Sequence, residues 1–437
     1  MISLVKGSIL LENGIIYDPY CKMNIKGGIL LKNGIIEEVG KCNPHKNTKR
    51  INCDGMIIAP GLIDIHAHFR EPGREDKETL ASGAQAAFSG GFTRVCIMPN
   101  TNPPLDTPES IRFILEKSVN LPIEIFPIGA ITKGQEGMEI TEIGEMVHAG
   151  AVAISDDGLP LQNGQVMRHA VEYSKRFNIP VINHAEDIPL RNDGVMNESA
   201  LSTRLGLPGN PSISESIMVN RDLEIAEFTK GRIHIPHVST SRSVNLIRQY
   251  KKKGLDITAE VTPHHLGLSE TKLAQYDTYA KVAPPLRTDK DRKALIGGLM
   301  DGTIDCIATD HAPHTIEEKE MDFLHAPCGM IGLESAFGLA HTVLVESGAT
   351  SEQVIQWMTV GPSRVMGWEL NSFHIGSPAE ISIIDPKEEW EFTESDIESR
   401  SKNSPMIGMT FKGRVCLTIS GKYLFEKTSR LNLDKLK

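Results

Sequence analysis

A chain of 437 residues, 40% apolar and 23% charged, is long enough for one large core and a smaller one, and too mixed for a fibrous or disordered protein. Its formal charge of -10 and pI near 5.9 exclude the broad basic field by which nucleic acid or an anionic membrane is bound. Seven scattered cysteines without a Cys-x-x-Cys pair, a start without a signal-peptide pattern and no run of 18 apolar residues predict a cytoplasmic protein without disulfides or a membrane span.

The first 60 residues are β-rich. "ILLENGII" (9–16) and "ILLKNGII" (29–36) each set Asn-Gly between apolar runs, and both read as β-hairpins. From residue 61 the pattern changes to eight short β-rich runs separated by helical stretches. These are "GLIDIHAH", "TRVCIMPN", "EIFPIGAIT", "AVAISDDG", "PVINHAED", "IHIPHVST", "DITAEVTPHH" and "DCIATDHAPH", ending at residues 68, 100, 132, 158, 187, 240, 265 and 314. Most ends are 25 to 32 residues apart, one βα unit each. Helix signals lie between them: Thr107 and Pro108 suit an N-cap and first turn, Gly150 suits a C-terminal stop, and Lys251, Lys252 and Lys253 suit a solvated helix end. The C-terminal stretches "AEISIIDP" and "RVCLTISGKYLFE" return to β pattern with a Ser-Gly turn. This order predicts an α/β fold, a (β/α)8 TIM barrel over 59–372 with a small β-sandwich assembled from 1–58 and 373–437; an open doubly wound sheet is the competing architecture.

Nearly every notable histidine or carboxylate falls where a run finishes: His66, His68, Asp156, Asp157, His184, His237, His264, His265, Asp310, His311 and His314. In a barrel those ends converge on one mouth. His66 and His68, two apart, share a strand face and are suited to one metal ion, and His184, His237 and Asp310 hold the equivalent place on three other strands. Two ions at the ~3.5 to 4 Å spacing of two-metal hydrolases need a bridging anion, for which "SDDG" offers Asp156 or Asp157. Strand alternation turns His311 away, and His148, His169, His325 and His341 lie off the strand ends.

The stretches "DIHAHFREPGREDKETLASGAQAAFSGGFT", "MPNTNPPLDT", "AISDDG", "HVST", "AEVTPHH", "PPLR", "DGTIDCIATDHAPHT" and "EEK" resemble the amidohydrolase superfamily and, within it, the type I dihydroorotases. The resemblance implies two zinc ions, His66, His68 and Asp310 on one and His184 and His237 on the other, bridged by Asp157. It implies reversible cyclisation of N-carbamoyl-L-aspartate to L-dihydroorotate in pyrimidine synthesis, with Asp310 as base and then acid. Relatives such as hydantoinases carry a carboxylated lysine on the fourth strand, which "AVAISDDG" lacks. Arg70, Asn100 and His314 match the family's substrate contacts. Ala283 replaces an asparagine, and Cys328 and Gly329 stand at a backbone pair that the family writes differently. The alternatives are another cyclic amidase of hydantoinase or allantoinase type, and an inactive structural partner of aspartate transcarbamoylase. A homodimer or a complex with that transcarbamoylase is the assembly the resemblance implies. Segment 316–329 is long enough for a water-excluding lid, or is a solvated charged loop.

Overall fold

A computed structural model of the chain describes residues 2–369, 373–428 and 431, and shows a mixed α/β protein. The boundary expected at 372/373 touches residues 370–372, outside the described residues.

All eight β-rich runs contain parallel strand: Leu62–Ala67, Phe92–Ile97, Glu124–Pro127, Ile154–Ser155, Val181–Ile182, Ile233–Ile235, Ile257–Val261 and Cys306–Ile307. The first three pair in order, and so do the last five. Parallel bridges between Gly129 and Ile154 and between Ala67 and His311 join the two groups, so the pairing returns to its start. Parallel neighbours need crossover connections, and the helices provide them. Helix Pro108–Ser118 begins as its sequence predicts, with Thr107 accepting from the Ser110 amide and proline in the first turn. Helix Ile143–Ala149 stops at Gly150, whose φ of 118° suits a residue without Cβ. Ile111, Ile114, Met146, Val166 and Leu223 bury the helices' inner faces against Val95, Ile125, Val181 and Ile233 of the strands.

Both ends of the chain enter one nine-stranded, mainly antiparallel sheet. Its order runs Ile2–Leu4, Tyr423–Glu426, Thr410–Ser420, Glu380–Glu391, Ile57–Pro60, Ser8–Asp18, Met23–Lys32 and Ile35–Gly40, with Lys49–Asn52 also paired to Ser8–Asp18. Ile9, Leu11, Ile29, Leu31, Ile58, Ile381, Ile383, Leu417 and Ile419 form its own buried cluster.

One expected hairpin is corrected. Asn33-Gly34 does turn between paired strands, but Asn13-Gly14 lies inside the continuous strand Ser8–Asp18. Asn13 has φ 67°, and the pairing with Met23–Lys32 slips between Leu11 and Gly14, so the dipeptide makes a bulge. A Cβ at Gly14 would lie 2.8 Å from the end of the Ile58 side chain, so close packing, not a reversal of direction, favours glycine there.

Candidate active site

The C-terminal ends of the parallel strands carry the predicted cluster. His66 is the second-last residue of its strand and His68 follows that strand; the Nε2 atoms of both lie 3.4 Å from Asp157 Oδ2. His237 Nε2 and His184 Nδ1 approach the other oxygen, Oδ1, at 3.3 and 3.6 Å, and each other at 3.0 Å. His66, His68 and Asp157 thus form one buried group and Asp157, His184 and His237 a second, with ligand atoms inside each group all within 4.8 Å of one another. Asp310 Oδ1 joins the first group's edge, 3.0 Å from His68 Nε2 and 3.7 Å from His66 Nε2.

Asp156 points elsewhere: its carboxylate accepts from the Ile131 and Thr132 amides and the Thr132 hydroxyl. Of the neighbouring pair, only Asp157 enters the cluster. Burial opposes charge on Asp157, but His66 and hydrogen bonds from His184 and His237 outweigh it and hold the carboxyl well below the usual range. Asp310 is also held low, burial again being outweighed, here by the His68 hydrogen bond and the charge of His66.

The donor set fits bound metal. A carboxylate can only accept, so Glu260 Oε1, 2.6 Å from His66 Nδ1, keeps a proton on Nδ1 and makes Nε2 the ring atom that an ion would take. That Nε2 is fully buried and has no hydrogen-bond partner among the described residues. A buried polar nitrogen without a partner is costly, and an ion coordinated there removes the cost. Asn100 Oδ1, 2.7 Å from His68 Nδ1, likewise directs that ring's Nε2 inward.

A cavity of about 270 Å³ opens over the cluster. Its walls include Arg70, Asn100, Ala283, His314, Cys328 and Gly329, together with His68, Asp157, His184 and Asp310, so every predicted substrate residue lies on one cavity. Arg70 Nε donates to the Pro313 carbonyl. His314 is tied down on both sides: Nε2 lies 2.9 Å from the Cys328 carbonyl, and Nδ1 is 3.2 Å from Lys77 Nζ and 3.0 Å from Glu318 Oε2. Burial lowers its pKa to about 3. The Gly329 amide donates to the Lys281 carbonyl, so one of the backbone groups expected to meet substrate is already engaged.

Three further histidines lie near the strand ends. His311 turns away to Glu78, 3.3 Å from its Nε2. His265 bonds Thr262 and the Pro284 carbonyl; His264 Nε2 is buried without a partner among the described residues, and burial lowers its pKa to about 4. Sequence reasoning missed Glu260, Asp64, His234, Glu186 and Arg191. Asp64 accepts from the Thr309 amide and hydroxyl and fixes the residue before Asp310, while Glu186 and Arg191 line the cavity. The available signal was an acid within an apolar β-run, as in "DITAEV" and "LIDIHA", because a buried carboxylate demands partners.

Solved structures share this fold. L-hydantoinase from Arthrobacter aurescens superposes with a TM-score of 0.83 at 22% identity, covering 96% of each chain. The dihydropyrimidinase from Brevibacillus agri gives 0.81 at 18%, covering 95% of this chain and 94% of that one. At 18 to 22% identity these likenesses define the fold that the chain shares with them. Residues 55–243 match the family model described as Dihydro-orotase-like. A dihydroorotase of Ruminiclostridium cellulolyticum is 44% identical over 94% of this chain and 97% of its own, and one of Endomicrobium trichonymphae is 48% identical over 85% and 89%. The chain belongs to the dihydroorotase family.

Proposed function

We propose that the protein interconverts L-dihydroorotate and N-carbamoyl-L-aspartate, at a site holding two zinc ions, on a (β/α)8 barrel (59–372) that carries a β-sandwich formed by 1–58 and 373–437. The observation that carries this reading is the convergence of four histidines and two aspartates beside a cavity with an arginine in its wall. His66, His68 and Asp310 would hold one ion and His184 and His237 the other, with Asp157 between them. When bound, such ions polarise a carbonyl and make water nucleophilic near neutral pH.

The chain's own groups do the rest. In the hydrolytic direction water oxygen bonds to the ring carbonyl carbon and the ring C–N bond breaks. Asp310, at the edge of the first ligand group, would take the water proton and return it to the leaving nitrogen. Arg70 and Asn100 meet the substrate carboxylate, with the planar guanidinium suited to both oxygens. His314 acts in this scheme as a fixed wall, since its N–H already serves the Cys328 carbonyl. Ala283 leaves that part of the cavity without a side-chain hydrogen bond, a loss of ~0.5 to 1.5 kcal/mol relative to a neutral polar contact.

The test is turnover by zinc-loaded protein of dihydroorotate, hydantoin and allantoin in parallel. Dihydroorotate should react fastest, and no turnover of it at full metal occupancy refutes the assignment. Asp310→Asn should lower kcat by ~10²- to 10⁴-fold with the fold retained; an unchanged rate removes Asp310 as the acid and base.

A further inference from the structure

Beneath the two ligand groups lies a carboxylate for which the mechanism has no use. Glu260, on strand Ile257–Val261, is fully buried. One oxygen, Oε1, is 2.6 Å from His66 Nδ1 and accepts from the His237 amide at 3.4 Å; the other, Oε2, is 3.0 Å from Nε2 of buried His234. His234 is held in turn by Thr258 Oγ1, 2.8 Å from its Nδ1. One side chain therefore grips the ring of a residue in the first ligand group and the backbone of a residue in the second. His237 has φ 33°, a conformation that non-glycine residues seldom adopt and that needs outside support.

We infer that Glu260 is a positioning residue that ties the two metal-binding groups together, orienting His66 and seating His237 so that both face Asp157. The inference rests on the proposed metal-centre reading. A carboxylate accepts on both oxygens and sets a negative charge beside His66; a glutamine presents a donor on one side, so it either repels the His66 Nδ1–H or forces His234 into the other tautomer, and it removes that charge. Glu186 provides the contrast. Its Oε2 lies 3.7 Å from His184 Nε2, so it touches a ligand of the second group alone.

Zinc stoichiometry and affinity, measured by chelator competition on the full chain, separate the possibilities, with the absorption spectrum of the cobalt-substituted protein reporting ligand geometry. Glu260→Gln should weaken both ions by ~10- to 100-fold and alter the cobalt spectrum, whereas Glu186→Gln should weaken one and leave the other within about threefold. Glu260→Gln that keeps both ions at wild-type affinity, or loses only one, overturns the inference while leaving the metal centre intact. Wild-type protein that binds no zinc overturns the metal-centre reading itself, and the inference with it. Should Glu260→Gln fail to fold, ¹⁵N-histidine NMR of zinc-loaded wild type decides: His66 must carry a protected proton on Nδ1, and an unprotonated Nδ1 overturns the inference.

Discussion

Arg70 follows His68 by two residues and adopts φ 60°, which turns the chain sharply away from the strand end. Desolvation lowers its pKa to about 10, with Asp310 and Asp157 opposing the fall, so it stays charged at neutral pH and faces the cavity as a cation. A lysine keeps the charge but loses the planar fork, and hydrogen bonds to charged groups contribute ~1.5 to 3 kcal/mol. Arg70→Lys should therefore reduce kcat/KM for dihydroorotate by about 10- to 100-fold, mostly through KM, in steady-state assays; a KM unchanged within twofold would show that the carboxylate binds elsewhere. At this scale the histidine–aspartate cluster was legible, because histidine and aspartate at strand ends repeat on several strands. Glu260 was not, because one acid inside an apolar run does not name its partners, and these lie on strands that only folding brings beside it.

The segment after the eighth strand is an element fastened from below. It contains helix Ile316–Lys319, and buried Lys319 sends its Nζ to the Pro327 and Gly329 carbonyls at 2.8 and 2.9 Å. Lys281 Nζ donates to the Phe323, Leu324 and Ala326 carbonyls. The charged loop read from "IEEKEMDFLHAPCG" thus holds a lysine that is almost wholly enclosed, and the two ammonium groups set the position of Cys328 and Gly329 on the cavity wall. Burial lowers the Lys319 pKa to about 8 from 10.5. Between pH 8 and 10.5 the unfolded chain holds this proton and the folded chain does not, so stability at this position rises with pH across that window, by up to about 3 kcal/mol. Urea unfolding from pH 8 to 10 should show Lys319→Met losing ground against wild type as pH increases; parallel curves would mean that Lys319 stays protonated inside the loop. Strands and caps here were readable from local chemistry, as at Thr107 and Gly150. The Asn13-Gly14 bulge was not, since only its packing against Ile58 distinguishes it from the turn at Asn33-Gly34.

The terminal sheet and the parallel strands meet across a polar clamp. Arg94, on Phe92–Ile97, donates through Nε and Nη2 to the two oxygens of Glu380 at 2.9 and 2.7 Å, and Thr93 Oγ1 adds a third bond at 3.2 Å. The Gly61 amide donates to the Glu380 carbonyl and Ser382 Oγ to the Gly91 carbonyl, while Phe88 meets Phe425 edge-on at 6.3 Å. Beside this contact a crevice of about 660 Å³, lined by Arg94, Glu380, Glu124 and Tyr423, opens at the starts of the strands, the opposite end from the histidines. The apolar patterning of both chain ends made their partnership readable. The clamp was invisible, because Arg94 and Glu380 are 286 residues apart and each looks like an ordinary surface charge in its own run. Their side chains keep 19% and 26% exposure, which places the pair between a screened surface bridge and a buried one. A bidentate geometry at that depth supports a coupling of about 1 to 2 kcal/mol. A double-mutant cycle with Arg94→Met and Glu380→Gln, read by urea unfolding of metal-free protein, should return that coupling and lose little of it at high salt. A coupling below about 0.5 kcal/mol would transfer the joining of sheet and parallel strands to the backbone bonds at Gly61 and Gly91 and to the aromatic contact.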